Sequence, residues 1–284
     1  MNPYLLAAAV IILSTFYSCA GDTATNTTTS DRSSSDTTAK AMAIKEEAVT
    51  YMADGKTMKG FVTYDENAQE SNPVVLVVPE WWGLNDYPRS RAKQLAQLGY
   101  TAMVVDMYGE GKTAANPQEA MSLTKPFYGN PALAKSRLEA ALVKLKEFKQ
   151  ADVSNAAAIG YCFGGNVVLN AARLGTDLKG VVSFHGNLAG APANKDLLKA
   201  KILVAHGDSD NFVPPAEIEA FKKGMDSIGA NYLFTVYPNA THAFTNPDAT
   251  ATGQKFNMPI RYNGAADTAS WNDMKTFLAQ LFEQ

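Results

Sequence analysis

Six short apolar runs, most of them separated by stretches of helical periodicity, constrain this chain more than any other feature. The runs cover residues 74–79, 101–106, 156–161, 180–185, 201–206 and 233–237. Each is too short for a buried helix and mostly apolar, as expected of a strand covered on both faces. Helical patterns occupy 87–98, 131–148, 163–174, 215–228 and 268–282. Strand–helix alternation of this kind predicts an α/β fold with a mostly parallel central sheet and helices on both faces. Two further runs, 48–52 and 60–64, alternate apolar and polar residues around Asp54-Gly55 and predict an N-terminal antiparallel hairpin. The expectation is one domain over 44–284. Apolar residues make up 46% of the chain, enough to fill its core. A net charge of −3 without a Lys/Arg-rich tract argues against a nucleic-acid partner.

The N-terminus differs in kind. Leu5 to Leu13 form an apolar run, LLAAAVIIL, too short to span a bilayer and consistent with a signal-peptide core. It leads to Ser18-Cys19, which resembles a bacterial lipobox. Residues 1–19 are therefore expected to be a signal peptide, with Cys19 lipidated as the mature N-terminus; the plainer alternative is an ordinary signal peptide with an incidental Cys. Residues 20–43, rich in Ser, Thr and Asp, cannot bury enough apolar surface to order and read as a tether reaching ~25–30 Å. Together these segments predict an exported lipoprotein anchored to a membrane through Cys19, on the periplasmic or cell-surface side. Lipidation of Cys19 would leave Cys162, the only other cysteine, as a lone thiol.

Gly160-Tyr161-Cys162-Phe163-Gly164-Gly165 lies where a predicted strand gives way to a helix, the setting of a nucleophile elbow. Glycines allow the sharp turn, and the helix N-terminus favours a thiolate. A structural cysteine in a Gly-rich turn is the bland alternative, but an acid and a base follow in the order known for α/β-hydrolases. The base is expected to be His242, after the last strand. His185 and His206, each before a Gly at a strand end, are read as partners of buried carbonyls. The acid is Asp208 or Asp210 in Gly207-Asp208-Ser209-Asp210.

These motifs, with Pro79-Glu80-Trp81-Trp82-Gly83, Asp106-Met107-Tyr108 and His242-Ala243-Phe244, resemble the dienelactone hydrolase family over essentially the whole domain. The resemblance implies an α/β-hydrolase fold and a Cys162–Asp210–His242 triad. It also implies an oxyanion hole from the backbone N–H groups of Trp81 and Phe163, and a Glu80 carboxyl beside the thiol. Asp208 is then a turn residue. Trp81, Trp82, Tyr87 and Tyr108 are expected to border the substrate pocket.

Two positions depart from the family. Where the prototype holds an anionic lactone with two arginines, this chain has Glu110 and Asn246. Arg89, Arg91 or Lys112 are the nearby cations able to compensate.

The implied activity is hydrolysis of small carboxylic esters or lactones, without selectivity for dienelactone itself. No ligand-spaced His/Cys/Asp cluster and no Gly-rich phosphate loop occur, so no metal or organic cofactor is expected. Two rival readings are a thiol-redox protein using Cys162 and a catalytically silent binding lipoprotein. Turnover of an activated ester separates them from a hydrolase.

Overall fold

The computed structural model of the chain describes residues 41–283; Cys19, the expected signal peptide and most of the expected tether lie outside them. An eight-stranded sheet runs in the order β1-β2-β4-β3-β5-β6-β7-β8. β1 (Ile44–Ala53) and β2 (Lys56–Asp65) form the expected antiparallel edge hairpin, turned at Asp54 and Gly55, both at positive φ. β2 also meets β4 (Thr101–Val104) antiparallel. β3 (Asn72–Val78), β4, β5 (Ala151–Tyr161), β6 (Gly180–Phe184), β7 (Lys201–Gly207) and β8 (Tyr232–Tyr237) pair in parallel.

Residue alternation along the strands builds two cores, one on each face. Val74, Leu76 and Val78 of β3 enter one cluster, while Val75 and Val77 enter the other. The first cluster is covered by α2 (Pro117–Gly129), α3 (Ala132–Leu145), α4 (Phe163–Arg173) and α5 (Pro215–Ser227), through Phe127, Leu138, Val167 and Phe221 among others. The second is covered by α1 (Asp86–Gln97) and α7 (Gly264–Phe282), through Leu95, Met274 and Leu278. Burying each such side chain contributes about 1.5–3 kcal/mol. This two-faced packing explains why the inner parallel strands are apolar over most of their length.

Two helices were not anticipated from periodicity. α2 carries Pro126 in its interior and starts from an Asn116 cap, whose side chain accepts from Glu119 N–H at 3.0 Å. α6 (Ala249–Phe256) is only eight residues, four of them Thr, Gly or Gln. Among the described residues no helix is long and apolar enough to cross a membrane, and no cluster of three or more His, Cys, Asp or Glu is placed to hold a metal.

Candidate active site

Chain direction places the ends of β3, β5, β7 and β8 on one edge of the sheet, where open parallel sheets bind ligands. At the end of β5 the backbone turns abruptly into α4. A Cβ on Gly160 would sit 2.0 Å from the Gly164 carbonyl oxygen, and one on Gly164 would sit 2.3 Å from that of Val78. Only glycine fits either place. Between them Cys162 adopts φ 53°, a left-handed conformation costing a non-glycine residue about 1–3 kcal/mol. Its side chain is half-buried at the N-cap of α4, whose N-terminal dipole favours a thiolate.

His242 follows β8 and is buried, with Nδ1 2.9 Å from Asp210 Oδ2. The second Asp210 oxygen accepts from Phe212 N–H at 2.9 Å, which fixes the carboxylate's orientation. Burial alone would push the His242 imidazole down. Cys162 and Asp210, both hydrogen-bonded to it, outweigh burial and raise it to about 10. Asp208 is exposed and accepts from Ser209 Oγ, so of the two acids only Asp210 touches the imidazole. His206 packs against Phe234 instead, with ring centroids 5.6 Å apart.

His185 departs from expectation. Its ring nitrogens have side-chain and elbow partners: Nδ1 accepts from the Cys162 N–H at 3.1 Å, and Nε2 lies 2.7 Å from Thr245 Oγ1. Its ring stands edge-on to His242, centroids 5.3 Å apart.

Glu80 is buried, and its one side-chain donor is Asn246 Nδ2 at 2.6 Å. Burial raises its carboxyl to about 7, against the smaller lowering influences of Asn246, His242 and Arg91. Asn246, at one of the two departures from the family, is thus committed to Glu80.

A cavity of about 110 Å³ opens on the thiol, smaller than the ~150 Å³ space that accepts a benzene ring. Glu80, Cys162 and His242 meet there, with Trp81 and Trp82 forming an edge-to-face pair at 5.1 Å. Tyr128, Phe163, Asn187, Phe212, Met258 and Ile260 complete most of the wall.

Tyr87 and Tyr108, expected at the pocket, do not line it. Each is buried one layer behind, where its hydroxyl finds a protein partner: Tyr87 donates to Thr245 Oγ1 at 2.7 Å and Tyr108 to the Trp81 carbonyl at 3.0 Å. Among the described hydrogen bonds, neither the Trp81 nor the Phe163 N–H is taken by a protein acceptor.

No Lys or Arg lines this cavity. Glu110 is exposed and paired with Lys59 at 2.9 Å. Arg89 pairs with Glu46 and Asp86, and Arg91 is buried against Asp267. Lys112 is also absent from the cavity wall.

Comparison with known proteins agrees with this geometry. The profile of the dienelactone hydrolase family matches residues 58–282. A Methylorubrum extorquens protein named as a carboxymethylenebutenolidase is 32% identical over 184 residues, 61% of this chain and 63% of that protein. The solved structure of a dienelactone hydrolase-like promiscuous phosphotriesterase from metagenomic libraries is 31% identical, with a TM-score of 0.79; the match covers 84% of this chain and 99% of that one. The dienelactone hydrolase of Anabaena variabilis, 22% identical over 75% of this chain and 94% of its own, shares the fold at a TM-score of 0.57. Sheet order, elbow and profile converge: this chain belongs to the dienelactone hydrolase family, on an α/β-hydrolase fold.

Proposed function

We propose that the protein hydrolyses small, uncharged carboxylic esters or lactones through Cys162, His242 and Asp210. The observation that carries this reading is the Cys162–His242–Asp210 chain at the mouth of a small, largely apolar cavity lined by no Lys or Arg. The Cys162 thiolate attacks the carbonyl carbon, and the carbonyl oxygen takes the negative charge. The free N–H groups of Trp81 and Phe163 are the donors for that oxyanion. The C–O bond to the alcohol breaks as the His242 imidazolium gives its proton to the departing alkoxide, leaving a thioester on Cys162. His242 then removes a proton from water, and the hydroxide adds to the thioester. The acid is released and the thiolate–imidazolium pair restored. Asp210 keeps the imidazole in the required tautomer throughout.

Glu80 is the carboxyl beside this centre. An ionised Glu80 opposes thiolate formation, and its neutral form does not. Trapping the acyl-enzyme tests the scheme: after a brief reaction with an activated ester, mass spectrometry should find the acyl group on Cys162. Hydrolysis that leaves no adduct on Cys162 under any quench, with normal activity in His242→Ala, contradicts it.

A second activity is favoured by a cavity without Lys or Arg and by the phosphotriesterase relative. A neutral phosphotriester presents the same uncharged electrophile, and the thiolate displaces its aryloxide. Release of p-nitrophenol from diethyl p-nitrophenyl phosphate, lost in Cys162→Ala, is the expected result; no release above buffer rules it out.

We further propose that Cys19 anchors the enzyme to a membrane. Native protein should fractionate with membranes and become soluble as Cys19→Ala. An unmodified N-terminus at or beyond Ala20 on native protein defeats this assignment.

A further inference from the structure

His185 belongs to no triad, yet it touches two members of one, Cys162 and His242. Its Nδ1 accepts the Cys162 N–H, so that nitrogen carries no proton. The proton of the neutral ring therefore sits on Nε2, which faces Thr245 Oγ1 at 2.7 Å. Thr245 is itself immobilised: Tyr87 donates to its hydroxyl at 2.7 Å, and Arg91 donates to its carbonyl at 2.7 Å. Arg91 is in turn held by Asp267. Protonating Nδ1 would set one N–H against another in a buried space, a desolvation cost that the His185 backbone offsets only in part. Burial and the nearby His242 push the His185 imidazole well down, in agreement with that geometry.

We propose that His185 is a positioning residue: a constitutively neutral Nε2–H imidazole, locked by Thr245, that braces the Cys162 backbone on one side and the His242 ring on the other. The inference rests on the reading of Cys162 and His242 as nucleophile and base. Two consequences follow. The elbow and the base loop keep a fixed separation, because one rigid ring contacts both. The proton taken from the thiol also stays on His242, because its imidazole neighbour has no site to receive one. The Cys162 N–H is shared with the Phe184 carbonyl at 3.0 Å, so His185 aligns the elbow rather than creating it.

The direct test is the ring's protonation state in the wild-type protein, read by nitrogen-15 NMR of labelled histidine. His185 should remain an Nε2–H neutral tautomer from about pH 5 to 9. An Nδ1–H tautomer, or a titration in that range, overturns the proposal.

Kinetics supply the second arm. Thr245→Val should lower kcat for a neutral ester by about 5–50-fold with KM little changed, while Thr245→Ser restores it. His185→Asn should lower kcat similarly in the wild type but add little in a His242→Ala background, since its action passes through His242. Unchanged kcat in both variants, a loss carried by KM, or an undiminished loss in the His242→Ala background each overturns it. Full activity of Cys162→Ala would instead sink the underlying triad reading, leaving the NMR result to stand separately.

Discussion

The Asp210 corner and the Glu80 corner of the site each bury a carboxylate, and they handle it in opposite ways. Asp210 receives a backbone N–H and an imidazole whose charged form it and Cys162 favour against burial. Glu80 receives only the neutral amide of Asn246, and burial carries its carboxyl up to about 7. Two carboxylates near one thiol therefore divide the work: one orients the base, and the other, left to burial, is pushed up to about 7. The partner, more than the depth of burial, sets the outcome.

The largest effect on this contrast is expected at Asp210. Asp210→Asn should lower kcat by roughly 10²–10⁴, because the amide no longer stabilises the imidazolium and holds the wrong tautomer. Activity within a few-fold of wild type would show that the Asp210 corner is not an ion pair of this kind.

Substrate charge probes the same contrast from the cavity side. With Glu110 paired to Lys59 at the surface and Asn246 bonded to Glu80, neither departure position supplies a cation. Losing two charge-assisted bonds predicts a kcat/KM for anionic dienelactone about 10²–10⁴ below that for a neutral lactone of similar size. A preference for the anion would mean that a cation reaches the cavity after all.

Glu80 should leave its mark on stability. Its folded pKa, about 7, lies above the ordinary 4.5, so the unfolded state ionises first as pH rises. The neutral buried form costs nothing below pH 4.5, and stability declines as pH rises through 4.5 to 7, by about 3 kcal/mol at most. Glu80→Gln should abolish that slope and be the more stable protein at pH 8. A slope of the same size in the variant would assign it to another group.

The smallest effect is expected at Asp208, exposed and bonded to Ser209. Asp208→Asn should change kcat by less than about 3-fold. A loss matching that of Asp210→Asn would erase the distinction between the two acids.

How much of this was legible in sequence depended on the range of the physics involved. The elbow was legible because its glycine spacing is local, and the parallel strands because burial on both faces leaves unbroken apolar runs. Chain order pointed to an acid before His242, but Asp210 rather than Asp208 was legible only through the family resemblance.

Tyr87 and Tyr108 were misplaced at the cavity because an aromatic ring with a polar tip suits either a pocket wall or a core with a hydrogen-bond partner. The partners here, Thr245 and the Trp81 carbonyl, are 158 and 27 residues distant. His185 was misread for the same reason, since its contact with Thr245 spans 60 residues. α2 had a readable Asn116 cap, obscured by Pro126, whereas α6 is too short and too poor in helix formers to stand out.

The most direct test of the central claim is kcat/KM of the purified domain for a small neutral p-nitrophenyl ester, measured for wild type, Cys162→Ala, His242→Ala and the double variant. Each single change should cost several orders of magnitude, and the double variant should be little worse than either, because the pair acts as one unit. Near-wild-type turnover by Cys162→Ala, or losses that simply multiply in the double variant, would contradict a cysteine nucleophile activated by His242.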